Sequence, residues 1–330
     1  MGTGLIRKRL DGWGKAAESG ILLGGGYGVE MENEIAAVVV TYNRKELLRQ
    51  CLDKLLNQEG AACDIIVIDN ASEDGTAEMV QQEYRAPRVI YVNTGQNLGG
   101  AGGFRTGARQ AVKLGYKYIW MMDDDTLPES DALCELVKAD RKLEGNWGFL
   151  SSAAYWTDGE VCVANRQKKT IFTFIGGEDY KRDLVPVVMG SFVSLYVKSS
   201  IVREVGLPIA EYYIWTDDYE FCGRISQRYE CYAVTKSRVV HAMKNHVKAN
   251  LAMDHISRID RYRCLFRNDV HCYRRYGLKG WIYIISKDMY NVANILLHAK
   301  DGKAEKVKAL LDGVKEGIRF FPQIEMIDFR

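Results

Sequence analysis

Short, wholly apolar runs alternate along the first part of the chain with longer segments in which apolar residues recur every three or four positions. The runs at 35–41 and 64–69 predict buried strands, and segment 44–58 carries one leucine-rich face and predicts a helix. The same pattern predicts two further strands, at 88–92 and at 118–123, and two further helices, at about 75–84 and ending at Leu114. Strands and helices that alternate at this spacing predict a mainly parallel sheet with helices on both faces.

Polar clusters follow four of the predicted strands, at 41–44, 69–70, 97–103 and 123–125. Ligands of such sheets bind at the carboxyl ends of the strands, so these clusters should meet at one edge. The fourth of these clusters is the sharpest signal, because an apolar strand ends there in Asp123, Asp124 and Asp125. Three adjacent carboxylates repel one another and are best tolerated around a cation, which predicts an Mg²⁺ or Mn²⁺ site facing a diphosphate. An acidic, solvated turn is the alternative.

The glycine-rich segment 99–103 fits neither common nucleotide-binding template. A dinucleotide fingerprint that starts at Gly100 would need glycine where Arg105 stands, and a phosphate loop that starts at Gly102 lacks the Lys-Ser/Thr ending. We therefore interpret these glycines as positions that allow positive φ and a close approach of a ligand to the backbone. A flexible loop is the alternative.

Two further signals lie downstream. Asp217 and Asp218 follow Trp215, and such an acid pair can supply a general base, although taken alone the pair is better explained by a helix N-terminus with first-turn acids. His241 ends a strand-like run; it is either a structural histidine or the ligand that completes an oxygen-rich metal site.

Composition restricts the class of protein. The 330 residues are 47% hydrophobic and 27% charged, as in ordinary globular proteins. The longest apolar runs are far shorter than the roughly 18 residues of a membrane span. The eight cysteines show no metal-finger spacing and predict a reducing, cytoplasmic setting.

Charge is unevenly distributed, because residues 241–330 contain 17 Lys and Arg against 10 Asp and Glu, a net charge of +7. This excess suits an anionic partner or a solvated helical surface. The segment contains two predicted helices, at 252–277 and 281–320. Interleaved arginines and aromatics in the first fit a packed helix better than nucleic-acid binding, and the second suits a membrane interface, core packing or an oligomer contact.

The predicted organisation has three parts. Residues 1–33 should be a poorly ordered segment, with Met31 as an alternative natural start; 34–250 should form the α/β catalytic domain, and 251–330 a helical C-terminal region.

Taken together and in order, these motifs resemble the inverting family-2 glycosyltransferases of the GT-A fold. The matching segments are 39–44, 68–72, 97–104, 123–125, 215–220 and His241. The glycine-rich segment followed by three aspartates is most similar to bacterial galactofuranosyltransferases. The resemblance implies a Rossmann-like, mostly parallel sheet flanked by helices, with a helical C-terminal extension.

The resemblance also implies roles for individual residues. The residues expected to bind the nucleotide sugar are Thr41, Tyr42, Asn43, Arg44, Asp69, Asn70, Asn97, Gly100, Asp123 and Asp124. Asp123, Asp125 and His241 would bind Mn²⁺ or Mg²⁺. Asp218 would be the catalytic base, with Trp215, Asp217 and Glu220 on the acceptor side. Thr216 separates the tryptophan from the acid pair, which leaves Asp217 open as an alternative base; Asp218 is preferred because it forms an acid-x-acid frame with Glu220.

The function expected from this resemblance is a metal-dependent hexosyltransferase of cell-envelope polysaccharide biosynthesis. It would transfer galactofuranose from its UDP donor to a hydroxyl of a growing, lipid-linked surface glycan, in the cytoplasm or at the inner face of the membrane. The alternatives are a rhamnosyltransferase that uses dTDP-rhamnose, a nucleotidyltransferase, or a silent sugar-nucleotide binding module. Nucleic acid is not an expected partner, and a homo-oligomer is left open.

Overall fold

The computed structural model describes residues 33–84, 88–243 and 249–327. The N-terminal segment predicted to be poorly ordered lies outside the described residues, apart from Asn33. The described strands are β1 (Ile35–Thr41), β2 (Asp64–Asp69), β3 (Val89–Asn93), β4 (Tyr118–Asp123), β5 (Thr126–Pro128), β6 (Phe149–Tyr155), β7 (Leu184–Pro186), β8 (Leu195–Lys198) and β9 (Tyr232–His241). The described α-helices are α1 (Lys45–Leu56), α2 (Thr76–Glu83), α3 (Gly99–Leu114), α4 (Ala132–Lys142), α5 (Ser199–Val205), α6 (Asp217–Ser226), α7 (Ile259–Arg274), α8 (Gly277–His298) and α9 (Lys303–Ile318).

One sheet contains all the described strands. Its order is β3-β2-β1-β4-β8-β6-β9-β5, and β7 pairs with β9. The first four strands are parallel, so the carboxyl ends of β1, β2, β3 and β4 lie at one edge, as predicted. Beyond β4 the sheet is mixed, because β8 runs antiparallel to both β4 and β6, while β6 and β9 are parallel.

Both faces of the sheet are covered at its parallel strands, which explains why β1 is almost entirely apolar. In β1, Val38 and Val40 pack into the hydrophobic core on one face, whereas Ala37 and Val39 pack into a second core on the other face. Parallel strands buried on both sides read as continuous hydrophobic runs in this way.

The alternative that the glycine-rich segment is a flexible loop is wrong, because residues 99–103 form the first turns of α3. Only Gly99 among them has positive φ, at +72°. A Cβ added at Gly103 would lie 2.4 Å from a Val40 methyl carbon, and one added at Gly107 would lie 2.2 Å from a methyl carbon of Val38. These two glycines therefore let α3 pack closely on β1.

The predicted helix at 281–320 is also wrong as a single element. It is two helices, α8 and α9, and α9 begins after Gly302, whose φ is +52°. Helix α8 ends at His298 because Ala299 is extended, and Gly302 adopts the left-handed conformation from which α9 starts. Helix α7 starts at Ile259 rather than near 252, after a short 3-10 turn at Ile256–Arg258. The boundary between residues 250 and 251 stays a prediction.

Candidate active site

A candidate metal centre lies at the carboxyl edge of the sheet. Asp123 ends β4, Asp125 lies in the turn to β5, and His241 ends β9, which is paired with β5. The structure brings the three predicted ligands together, with one donor atom from each lying within 4.8 Å of the others. Two carboxylates and an imidazole are a donor set that suits Mn²⁺, and the carboxylates suit Mg²⁺.

Asp124, the middle aspartate, contacts residues at the same edge that are predicted to bind the nucleotide sugar. Its carboxylate accepts hydrogen bonds from the Thr41 hydroxyl at 2.8 Å and from the Arg44 guanidinium at 3.1 Å. Arg44 also contacts Asp125 at 2.8 Å. The half-exposed arginine therefore neutralises part of the acidic cluster and links the predicted donor residues to the metal ligands.

The pKa values show how strongly these acids interact. Burial and the charge of Asp125 raise the pKa of Asp123 to about 7, and burial raises that of Asp124 to about 6 in spite of Arg44. Burial opposes the charge on His241, but its hydrogen bond to Asp125 at 3.0 Å outweighs this and raises the histidine pKa to about 10. A cluster that favours protons in this way has excess negative charge for a cation to balance.

The other residues predicted to bind the nucleotide sugar lie around the ends of β1, β2 and β3. Tyr42 and Asn43 are exposed, and the Asn43 side chain accepts a bond from the Glu73 amide. Asp69 is fully buried, and its carboxylate accepts from the Ser72 amide at 2.8 Å and from the Tyr91 hydroxyl at 2.5 Å.

Asn70, Asn97 and Gly100 lie around the start of α3. Asn70 donates to the Gly99 carbonyl at 3.0 Å, and the exposed Asn97 accepts from the Gly99 amide at 2.9 Å. A Cβ built at Gly100 would meet nothing within 4 Å. The first turn of α3 therefore presents open backbone on the side where the resemblance places the donor.

The acid pair begins α6, as predicted. Burial and the neighbouring Asp218 raise the pKa of Asp217 well above its usual value, and the charge of Asp123 raises it further. Burial raises the pKa of Asp218 to about 6, against hydrogen bonds from the Tyr219 amide and the Ser191 hydroxyl that favour its charged form. Since one acid of such a pair retains a proton more readily, Asp218 is the one poised to be ionised near neutral pH.

The segment before α6 has a strained backbone. Tyr213, Trp215 and Thr216 all have positive φ, between +63° and +67°, which non-glycine residues rarely adopt. The Asn268 amide on α7 donates to the carbonyls of Tyr212, Ile214 and Trp215, at 2.9–3.1 Å. The C-terminal region thus holds this segment in place, with the Trp215 ring 5.1 Å from that of Tyr262 on α7.

Glu220 requires a correction. It was predicted to lie on the acceptor side, but the structure buries it completely. Its carboxylate accepts from Arg224 at 2.9 Å and from Arg275 at 2.5 Å. Because both arginines satisfy it inside the protein, Glu220 joins α6 to the residue that follows α7 and is not accessible to an acceptor.

Sequence reasoning missed three polar residues beside the acid pair and His241. Asn165 contacts His241, Ser191 contacts Asp218, and the buried Lys168 lowers the pKa of Asp218 through its charge. The Lys168 ammonium lies 4.8–5.1 Å from the ring centroids of Phe174, Tyr219, Tyr273 and Tyr283. All three lie between residues 163 and 191, where irregular structure leaves no periodic signal.

Residues 36–149 match the family model described as glycosyl transferase family 2. This segment is a family-2 glycosyltransferase domain. The family-2 domain covers β1 to β4 and the three aspartates, while Asp218 and His241 lie beyond it.

Relatives extend the similarity further along the chain. The galactofuranosyltransferase GlfT1 of Mycolicibacterium smegmatis is 28% identical over 209 residues, which cover 58% of this chain and 65% of the relative. The chain therefore spans about two thirds of the length of that relative.

Solved structures support the fold. GalNAc-T7, solved with UDP, GalNAc and Mn²⁺, has a TM-score of 0.60 at 13% identity and covers 89% of this chain and 57% of its own. The mannosyltransferase PcManGT of Pyrobaculum calidifontis, solved with GDP-Man and Mn²⁺, has a TM-score of 0.53 at 14% identity and covers 88% of this chain and 76% of its own. The predicted GT-A fold, with a helical C-terminal region, is thereby confirmed.

Proposed function

We propose that the chain is a metal-dependent, inverting glycosyltransferase that transfers galactofuranose from UDP-galactofuranose to a hydroxyl of a lipid-linked glycan. The observation that supports this most strongly is that two acidic groups of different character lie near each other. Asp123, Asp125 and His241 form a cation-binding cluster, and the charge of Asp123 reaches Asp217, next to the candidate base Asp218.

The metal-binding cluster fits departure of the diphosphate, and the candidate base fits attack by the acceptor hydroxyl. A divalent cation held by the cluster would stabilise the departing diphosphate as a Lewis acid. Arg44 and Gly100 in the first turn of α3 would lie on the donor side, where a guanidinium and the unobstructed backbone at Gly100 suit phosphate oxygens. Asp218, ionised near neutral pH, would accept the proton of the attacking hydroxyl, and Trp215 would form a wall of the acceptor pocket. A single base suits inversion, which needs no covalent intermediate.

The identity of the sugar donor is tested first, by calorimetric titration with the nucleotides UDP and dTDP, each with and without Mn²⁺. The proposal expects tight binding of UDP that depends on Mn²⁺, followed by release of UDP from UDP-galactofuranose only when a glycan acceptor is present. Preference for dTDP and turnover of dTDP-rhamnose would identify a rhamnosyltransferase instead. Release of pyrophosphate would identify a nucleotidyltransferase.

A lipid-linked acceptor fits the outer face of α8. Its exposed residues include Leu278, Ile282, Ile285, Met289 and Leu296, at 51–77% exposure. Their spacing of three, four or seven residues places them along one stripe of the helix. The stripe is bordered by the exposed Lys279 and Lys300, and the only carboxylate between residues 277 and 300 is half-buried Asp288. Apolar residues edged by lysines suit a helix that lies in the surface of an anionic membrane.

None of the helices within the described residues is long and apolar enough to cross a bilayer. Contact through α8 would therefore be peripheral. We expect the protein to sediment with vesicles of phosphatidylglycerol and phosphatidylcholine, and to do so less at high salt. The double variant Ile282→Ser/Met289→Ser should remain in the supernatant with unchanged UDP affinity. If the wild type stays in solution as a dimer and this variant is a monomer, the stripe is an oligomer contact.

A further inference from the structure

The Asn165 side chain is hydrogen-bonded to the candidate metal ligand His241, at the ring nitrogen that does not face Asp125. The Asn165 side-chain oxygen lies 2.8 Å from His241 Nδ1 and also accepts from the Cys162 thiol at 3.0 Å. An amide oxygen only accepts, so Nδ1 must carry a proton, and Nε2 is the nitrogen that faces Asp125. The orientation of the His241 ring toward the cluster therefore depends on Asn165.

The other end of the Asn165 side chain leads to the candidate base. Its Nδ2 donates to the Ser191 hydroxyl oxygen at 3.0 Å, and the Val193 amide donates to the same oxygen at 3.2 Å. Because these two donors occupy the lone pairs of the oxygen, the hydroxyl proton is left for an acceptor. The nearby Asp218 carboxylate is the acceptor that fits, because the Ser191 hydroxyl favours its charged form.

We propose that Asn165 is a positioning residue that holds the candidate metal ligand His241, and that Ser191, to which Asn165 donates, extends this chain of bonds to the candidate base. The hydrogen bonds run from Asp125 through His241 and Asn165 to Ser191, and from His241 onward each group donates toward Ser191. This inference rests on the glycosyl transfer proposed above. Transfer needs the leaving diphosphate and the attacking hydroxyl on opposite sides of one carbon, so the separation of these two groups must be preset.

The metal end is tested by titrating the apoprotein with Mn²⁺ alone and with Mn²⁺ plus UDP, followed by electron paramagnetic resonance. Asn165→Leu removes the acceptor for Nδ1, and we expect Mn²⁺ affinity to fall about 10- to 100-fold. Asn165→Asp retains an oxygen in that place and should keep Mn²⁺ affinity within a few-fold of the wild type. Unchanged affinity in a well-folded Asn165→Leu protein would overturn this part.

The base end is tested by steady-state kinetics across pH. Ser191→Ala removes a donor to the charged form of Asp218, so the acidic limb of the kcat profile should move to higher pH while the donor KM stays within twofold. Ser191→Thr, which restores a hydroxyl, should move it back. Lys168 and Asp217 also act on Asp218 and are unaltered in both variants. Ser237→Ala is the matched control, because this buried serine donates to the Ala132 carbonyl outside the chain of bonds.

The double variant Asn165→Leu/Ser191→Ala decides whether the bonds act as a unit. Coupled residues should lose no more kcat together than the more damaging single variant loses. Strictly multiplicative losses, or a Ser191→Ala profile identical to that of Ser237→Ala, would overturn the inference. If the wild type transfers no sugar at all, the proposed function fails, whereas the Mn²⁺ titration still decides whether Asn165 orients His241.

Discussion

Replacing Asp218 with asparagine should abolish transfer and at the same time stabilise the fold. Removal of a general base costs about 10²- to 10⁴-fold in rate. The gain in stability follows from the pKa of Asp218, which burial raises from 3.8 to about 6 in the folded protein. A difference of about two pH units corresponds to at most about 3 kcal/mol, by which the charged carboxylate disfavours folding at neutral pH.

The sign of this effect depends on pH. Below about pH 4 the carboxyl group is protonated in both the folded and the unfolded chain, so asparagine should gain little there. Between about pH 4 and pH 6 the unfolded chain is ionised while the folded protein still holds the proton, and the native protein loses stability as pH rises. Above about pH 6 the full penalty is present. The variant should therefore melt about 3–6 °C higher than the wild type at pH 7.5 and at nearly the same temperature at pH 4.

The assay combines thermal melting in EDTA with release of UDP and titration of UDP plus Mn²⁺. Asp217→Asn is the matched control, since burial and the charge of Asp218 raise the pKa of Asp217 well above its usual value, and this variant should lose mainly acceptor affinity. Transfer by Asp218→Asn within tenfold of the wild type would refute Asp218 as the base. Loss of transfer together with a lower melting temperature or lost UDP binding would mean that the variant damages the fold.

Three further substitutions test the surroundings of the site. Gly99→Ala would put a Cβ 2.2 Å from the Tyr213 carbonyl oxygen and should cost about 1–3 kcal/mol in denaturant unfolding, more than the control Gly95→Ala, which has the same φ of +72° and no neighbour within 4 Å. Lys168→Met removes a positive charge that lowers the pKa of Asp218, so transfer should fall several-fold at pH 6 but not at pH 8.5; equal loss at both would refute the electrostatic role. Asn268→Leu removes three hydrogen bonds to carbonyls, and kinetics should show a higher acceptor KM with UDP affinity unchanged.

The donor half could be predicted from the sequence because its signals are local. The bounds of β1 and β2 agree with the predicted 35–41 and 64–69, since buried parallel strands are continuous apolar runs ended by polar residues. The cluster of Asp123, Asp125 and His241 was also predicted, although only the resemblance connected His241, at the end of β9, with these two aspartates.

The errors arise where a residue type has two uses. Glycine at 103 and 107 marks close helix–sheet packing, which composition alone does not distinguish from a loop. Glu220 fits an acid-x-acid pattern, but its partner Arg275 is 55 residues away and nothing local indicates the pairing. Asn165 and Ser191 carry no motif, because their positions depend on irregular segments that only the complete fold arranges.

The helices after residue 250 contribute to the site although the family-2 match ends at residue 149. Asn268 holds the carbonyls of the strained segment that carries Trp215, and the Asp269 carboxylate accepts from the Thr216 hydroxyl at 2.9 Å. Arg275 satisfies Glu220 on α6, the helix that also carries Asp218. Strained backbone persists only where surrounding contacts over-determine it, and here those contacts come from α7. The proposed donor side therefore depends on the sheet, whereas the proposed acceptor side depends on the C-terminal helices, and so variation in α7 should change acceptor use before it changes the nucleotide that is bound.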